Sequence, residues 1–281
     1  MNYLVTGASG HLGHQIVEHL IPKLQKDDHL FGLVHRPRPA DNIEYRPADF
    51  MDLDSLKRAF QKVNVLVYIP SKTYVTADRL QELKNVITAA RDQHVDAIVA
   101  MSFIADQANN PFVMAPFYHQ MPDLLAQSGL NYVILKDALY ADPLVPYLPE
   151  LIDRQAIIYP VGDQKMAFIA IDDCAEAFAT AATNPTIRSS RQTYTLSQET
   201  AYTMPELAAI MSKVTGQTIG YQPVTTQEFG QIYAEDGDGD ELASMYSGGA
   251  MGLLITVTND FEFITGRKPI DMENFLKANY H

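Results

Sequence analysis

The sequence predicts an α/β protein: a doubly wound parallel sheet with a smaller C-terminal α/β lobe. Three observations predict it. Short apolar runs alternate with helical patterns through the first two-thirds of the 281 residues. A glycine-rich turn joins the first apolar run to the first helical pattern. The apolar runs lack polar alternation, so helices must cover both faces of the sheet they build. Strands separated by helices pair in parallel, because each crossover has to return over the sheet.

The elements follow in order. Residues 3–6 form a short first strand. Residues 11–25 read as a helix, with Leu12, Ile16, Val17, Leu20 and Leu24 on one side. Residues 30–35 are a second strand and 43–46 a weak third. A helix at 54–63 leads to a buried fourth strand at 65–69, and a helix at 77–93 leads to a fifth at 97–101. Residues 124–128 are helical, closed by Gly129, and 132–135 are a sixth strand. Beyond about residue 150 the pattern loosens. It still gives a strand at 166–171, a helix at 172–182, a strand at 192–196, a helix at 204–214, a strand at 219–222 and short terminal helices. The expected division is a nucleotide-binding core at 1–150, with 161–200 returning to it. Residues 201–281, with 151–160, make the smaller substrate-side lobe.

Composition narrows the function. The chain carries 21 Lys and Arg against 34 Asp and Glu, a net charge of −13. No dense basic stripe is present, so direct nucleic-acid binding is not expected. The longest apolar stretches, such as 97–105, are about half the length of a membrane helix. The N-terminus lacks the basic-then-apolar pattern of a secretory signal. The single Cys174 excludes an intramolecular disulfide and a thiolate zinc cluster. The eight histidines show no metal-ligand spacing. Residues 235–241 resemble a calcium loop, with Asp236, Asp238 and Asp240 in the first ligand positions. Glu241 stands at the required glycine, however, and Ser247 at the bidentate glutamate. A soluble, cytoplasmic protein without a metal is expected.

The strongest motif is Val5-Thr6-Gly7-Ala8-Ser9-Gly10-His11-Leu12-Gly13, which follows the first strand and opens the first helix. Gly7 permits the tight turn, Gly10 lets backbone approach a pyrophosphate, and Gly13 lets helix and strand pack closely. The free N–H groups of the helix start favour phosphate, and Thr6 and Ser9 add hydroxyl donors. This is the Rossmann arrangement for a dinucleotide. After the second strand the chain reads Val34-His35-Arg36-Pro37-Arg38, with no carboxylate until Asp41. Arg36, helped by Arg38, suits a 2′-phosphate and so NADP(H). Asp49 is a candidate acceptor for the adenine amino group, and Asp52 the better helix cap.

An acid–base machine is harder to find. Two Tyr-x-x-x-Lys matches occur, Tyr68/Lys72 and Tyr132/Lys136, and both begin in expected strands. Four residues of strand span about 13 Å, so neither pair acts together as it would on a helix. Where such a tyrosine is expected, after the fifth strand, the chain has Tyr118 and His119, with Asp123 at the lysine position. His119 is a candidate proton donor.

The ordered segments TGASGHLG, VHRPRP, PADFMDLDSLKRAF, MSF, LLAQSGLNYVILKDALYADP and IDDCAEAF resemble the NmrA-like atypical short-chain dehydrogenases over nearly the whole chain. The nearest likeness is to the bacterial NAD(P)H:quinone oxidoreductase and triphenylmethane reductase branch. The resemblance implies a Rossmann core and a substrate cleft beside the C-terminal lobe. It assigns Ile69, Pro70 and Ser71 to the cofactor's cover, and Ser102 and Phe103 to the nicotinamide side. The family's R-N-x-x-Y element falls on Lys136, Asp137 and Tyr140, with Lys and Asp replacing Arg and Asn. Close relatives carry a lysine where this chain has Asp123.

The resemblance implies an NADPH-dependent reductase of quinones or similar planar acceptors, with Phe103, Phe117 and Tyr140 as aromatic walls. Such an acceptor demands no strong general acid, and the last proton comes from solvent, His119 or Tyr140. A second reading is a non-catalytic NADP(H) sensor that regulates a protein partner. A third, a sugar-nucleotide epimerase, is disfavoured by the missing helical Tyr-x-x-x-Lys. The sequence leaves the oligomeric state open.

Overall fold

The structure is a computed structural model that describes residues 1–36, 43–234 and 239–281. Its centre is a seven-stranded, wholly parallel sheet: β1 (Asn2–Val5), β2 (His29–Val34), β3 (Glu44–Pro47), β4 (Val65–Tyr68), β5 (Ala97–Phe103), β6 (Asn131–Asp137) and β10 (Thr193–Leu196). The order is β10-β6-β5-β4-β1-β2-β3. The crossovers run outward from β1 in both directions. Ligands bind such sheets at this switch point, beyond the carboxyl ends of the strands. The central strands bury both faces, β4 completely, as their unbroken apolar composition requires.

Helices α1 (His11–Leu20), α2 (Leu53–Ala59), α3 (Thr76–Asp92), α4 (Ala115–Gln127), α6 (Ile171–Thr183) and the short α7 (Pro185–Arg188) flank the sheet. Asp52 caps α2: its Oδ1 accepts from Asp54 N at 3.0 Å and Ser55 N at 3.2 Å. Two minor sheets stand beyond the strand ends. One joins β7 (Leu139–Tyr140), β9 (Met166–Ile169) and β11 (Ala201–Tyr202). The other joins β8 (Ala156–Ile157) and β12 (Gly220–Tyr221). Around them lie α5 (Leu144–Arg154), α8 (Met204–Thr215), α9 (Thr226–Ile232), α10 (Gly239–Ala250), α11 (Asp260–Thr265) and α12 (Met272–Asn279). Within the C-terminal part, α11 packs back onto α6 and β10. No helix among the described residues is long and apolar enough to cross a membrane.

The expected helix at 54–63 stops early, at Ala59, and three further helices depart from the sequence expectation because of proline. α1 ends at Leu20, because Pro22 diverts the chain into a 3₁₀ turn at Ile21–Lys23. α4 begins nine residues before the expected Leu124, since Pro116 sits in its first turn and Pro122 is tolerated inside. α5, not expected at all, carries Pro146 in its first turn and Pro149 within, and turns a strongly amphipathic face inward.

Candidate functional site

The glycine turn between β1 and α1 is built around one close approach. A Cβ on Gly13 would lie 2.2 Å from the Gly7 carbonyl oxygen. Gly7 itself has φ +60°, in the left-handed region. Gly10 differs. It caps α1 in extended backbone, and a Cβ there would meet only Gly7 O, at 3.3 Å. That contact is tight but far milder than the clash at Gly13, and the uncapped helix start is the feature that suits a phosphate. No side chain caps α1. Thr6 is not part of this face. Its hydroxyl donates to Ile69 O at 2.8 Å and accepts from Ile69 N at 2.7 Å, tying β1 to the end of β4.

A groove of about 850 Å³ runs over the strand ends. Gly7, Ser9, Gly10, His11, Leu12 and Gly13 line it, with Asp49, Ile69, Pro70 and Ser71. Its far wall adds Met101, Phe112, Tyr118, Tyr140 and Pro143. Asp49 keeps one oxygen busy, accepting from Met51 N at 2.8 Å, and its other oxygen stands 4.0 Å from His35 Nδ1. Arg36 is exposed at the end of β2, directly after His35, which lines the groove. Arg38 and Asp41 lie outside the described residues, as do Asp236 and Asp238 of the acidic run.

A second cavity of about 360 Å³ opens from the groove. Met101, Phe112, Tyr118, Tyr140, Pro143 and Glu241 line both. The rest of its wall is apolar and aromatic: Phe103, Leu139, Leu144, Tyr147, Tyr159, Phe168, Phe229, Tyr233, Leu242, Met245 and Tyr246. Tyr159 stacks on Tyr246 at 4.9 Å, and Phe229 meets Tyr246 edge-on at 4.8 Å. Phe103 meets Phe112 edge-on at 5.7 Å. Such a slot accepts a flat apolar molecule.

Several sequence candidates stand elsewhere. Phe117 lines neither cavity: it is fully buried beneath α4, with the Arg79 guanidinium 5.4 Å from its ring centre. His119 faces outward, its Nδ1 held 2.9 Å from the Asp106 carbonyl oxygen, because α4 turns its opposite face to the sheet. Asp123 is exposed on the same helix. Lys136 pairs with Asp106 rather than reaching the groove. Ser102 is buried in β5, and its hydroxyl lacks a partner among the described residues. Asp137 is wholly buried behind Tyr140, whose hydroxyl donates to its Oδ2 at 2.7 Å. Burial pushes the Asp137 carboxyl up to about 7, while the Tyr140 and Cys174 groups pull the other way.

The groove also contains residues that the sequence reading missed. Arg79 is 4% exposed and lines the groove floor, its guanidinium 3.4 Å from the Tyr118 hydroxyl. Glu82, equally enclosed, accepts from Ser71 Oγ at 2.6 Å. Burial raises its carboxyl above the usual range, against the lowering effects of Ser71 and Arg79. A signal existed: Arg79 falls in register with Leu83, Val86 and Ala90 on the buried face of α3. The missed aromatic wall of Tyr147, Tyr159, Phe229, Tyr233 and Tyr246 had no local signature.

A glycine cradle at the switch point of a parallel sheet, opening onto an aromatic second cavity, defines a Rossmann-type α/β protein. The chain belongs to the NmrA-like family, which it matches over residues 2–251. It is similar to quinone oxidoreductase 2 of Escherichia coli (strain K12), with 29% identity over 254 residues, covering 88% of this chain and 86% of that protein. Among solved structures it is similar to a nucleoside-diphosphate-sugar epimerase from Staphylococcus aureus. Identity there is 36% and the TM-score 0.92, over 99% of this chain and 100% of that one. It is also similar to a Citrobacter sp. triphenylmethane reductase complexed with NADP(H). Identity is 25% and the TM-score 0.89, over 98% of this chain and 99% of that one.

Proposed function

We infer that the chain is an NAD(P)H-dependent oxidoreductase that uses NADP(H) and passes hydride to a quinone or similar planar acceptor. The observation that carries this reading is the continuity of the two cavities. A groove fitted to a dinucleotide runs directly into an aromatic slot, and Met101, Phe112, Tyr118 and Tyr140 are common to both. The names of the Escherichia coli and Citrobacter relatives support it.

The residues fit the cofactor on structural grounds. The uncapped start of α1, where Gly10 presents no side chain, would receive the pyrophosphate. Arg36 meets a 2′-phosphate, Asp49 the adenine amino group, and Ile69, Pro70 and Ser71 cover the middle of the groove. When bound, the reduced cofactor supplies the hydride. The chain's own work is positional. Tyr140, Phe103 and Met101 line the slot and would hold the acceptor's plane beside the bound cofactor. The aromatic walls exclude water from the transfer. A quinone then needs one proton, and Tyr140 and Tyr118 are the hydroxyl-bearing residues common to the two cavities; of the two, Tyr140 is hydrogen-bonded to a carboxyl that can resupply it.

The sugar-epimerase description of the Staphylococcus aureus structure is not carried over. Among the described residues lining the aromatic cavity only Glu241 is charged, and it is acidic, a poor match for a sugar diphosphate. The Tyr68 ring is wholly buried with Lys72 exposed, and Lys136 is held by Asp106, so neither tyrosine–lysine pair forms an acid–base couple. The test is NADPH oxidation with a panel of quinones, beside a direct assay for epimerisation of sugar nucleotides, which consumes no net cofactor. Turnover of the sugar nucleotides alone would overturn the reading.

A further inference from the structure

The enclosed groups behind the cavity junction include one that hydride transfer does not use. Asp137 ends β6, and its side chain is cut off from water. Its register neighbours across the sheet are Phe103 and Leu196, neither of which titrates. From β7 the Tyr140 hydroxyl donates to Oδ2 at 2.7 Å. From α6 the Cys174 thiol lies beside it, and Asp142 and Asp173 face that thiol in turn. Tyr118 of α4 faces Tyr140. No basic group pairs with Asp137 among the described residues. Oδ1 is buried without a hydrogen bond there. A carboxylate in this setting leaves a charged oxygen unpaired in an apolar interior, whereas the neutral acid does not.

We propose that Asp137 is a buried proton store that recharges Tyr140 after Tyr140 protonates the reduced acceptor. This rests on the reductase reading given above. A quinone that has taken a hydride is a phenolate-type monoanion short of one proton. The Tyr140 O–H bond breaks as the acceptor O–H bond forms. With Asp137 neutral, its Oδ2–H donates across the same 2.7 Å contact and leaves the Tyr140 O–H free for the acceptor, so the Asp137 proton passes to the tyrosine oxygen as that O–H bond breaks. The aspartate left behind regains its proton between turnovers by the reverse path, from water in the vacated cavity through the Tyr140 hydroxyl. No electrons move in these steps, because the redox change is complete once hydride has passed.

Burial sets the carboxyl at about 7, so the store is full in mildly acidic solution and empties as the pH rises. An ionised Asp137 also raises the Tyr140 hydroxyl further above its usual range, making it a poorer donor. Quinone turnover therefore falls with rising pH. Reduction of a cationic triarylmethane dye, which takes hydride and needs no proton, serves as the internal reference.

The experiment uses the full chain, Asp137→Asn and Tyr140→Phe. Infrared spectra of the protein without cofactor are expected to show a buried protonated-carboxyl band at pH 5. That band disappears above pH 8 and is absent from Asp137→Asn. The ratio of quinone to dye turnover is expected to fall about tenfold from pH 6 to pH 8 in the parent. In Asp137→Asn the ratio is flat and about tenfold below the parent at pH 6. Tyr140→Phe lowers it to the same extent, and the double variant lowers it no further. Absence of the band at pH 5, or an Asp137→Asn ratio that follows the parent at every pH, overturns the relay alone. Failure of every acceptor overturns the reductase reading, and the relay with it.

Discussion

Replacing Gly13 and Gly10 one at a time by alanine separates what the fold needs from what the ligand needs. At Gly13 the new methyl would lie 2.2 Å from the Gly7 carbonyl oxygen and 2.6 Å from its carbon. Both atoms are backbone, so α1 must move away from β1. Overpacking of this kind costs about 1–3 kcal/mol. At roughly 2–4 °C per kcal/mol for a large domain, Tm falls by about 2–12 °C. At Gly10 the methyl would meet one oxygen at 3.3 Å, with φ −86° and ψ 170° open to any residue. The fold loses about 0.5–1 kcal/mol there, mostly from a poorer helix cap. That methyl stands where a pyrophosphate would rest. Losing about 1–3 kcal/mol of binding weakens NADPH by about 5–150-fold. Thermal melts and calorimetric titration with NADPH check both. A Gly10→Ala protein that binds NADPH like the parent, or a Gly13→Ala protein that melts with it, refutes the reasoning.

Further outcomes follow from the same geometry. Arg36→Ala is expected to weaken NADPH about 10–100-fold and leave NADH affinity unchanged, as a titration with each will register. Phe103→Ala removes one wall of the aromatic slot and should raise the acceptor's KM about tenfold at constant NADPH affinity, which steady-state kinetics with both substrates varied will check. His119→Ala should keep turnover within about twofold, since its ring is exposed and held by the Asp106 carbonyl; a hundredfold loss would return it to the site. Asp137→Asn should also change stability with pH. The folded carboxyl is raised to about 7, so the folded chain holds a proton that the unfolded chain has released. Stability of the parent therefore falls as pH rises from about 4 to about 7 and is level above. Relative to the parent, Asp137→Asn gains up to about 4 kcal/mol across that window, as denaturant melts at pH 4 and pH 8 will measure.

The sheet was legible because its strands are short, apolar and regularly spaced by helices. Every strand of the seven-stranded sheet lies at or within about two residues of its expected place. Helices rich in proline were not legible. Pro122 hides α4, and Pro146 with Pro149 hides α5, because a proline's cost depends on which turn of the helix it occupies. The glycine cradle was readable at residue level, since backbone approach and helix packing dictate the glycines directly. The aromatic slot was not. Tyr159, Phe229 and Tyr246 come from three distant segments and meet only in the fold. Residues assigned through the family's R-N-x-x-Y element divide by side-chain direction. Tyr140 lines the cavities, while Lys136 and Asp137 turn to Asp106 and to the buried interior. Alternation along a strand sends neighbours to opposite faces, and a motif alone does not say which face meets the ligand.

The central claim is that a nucleotide groove feeding an aromatic slot makes this chain a reductase. The most direct measurement is the loss of NADPH absorbance with several quinones and one cationic triarylmethane dye, with NADH run in parallel. The account predicts acceptor-dependent consumption, faster with NADPH than with NADH. Tight NADPH binding without turnover of any acceptor would contradict it and point to a cofactor-sensing protein instead.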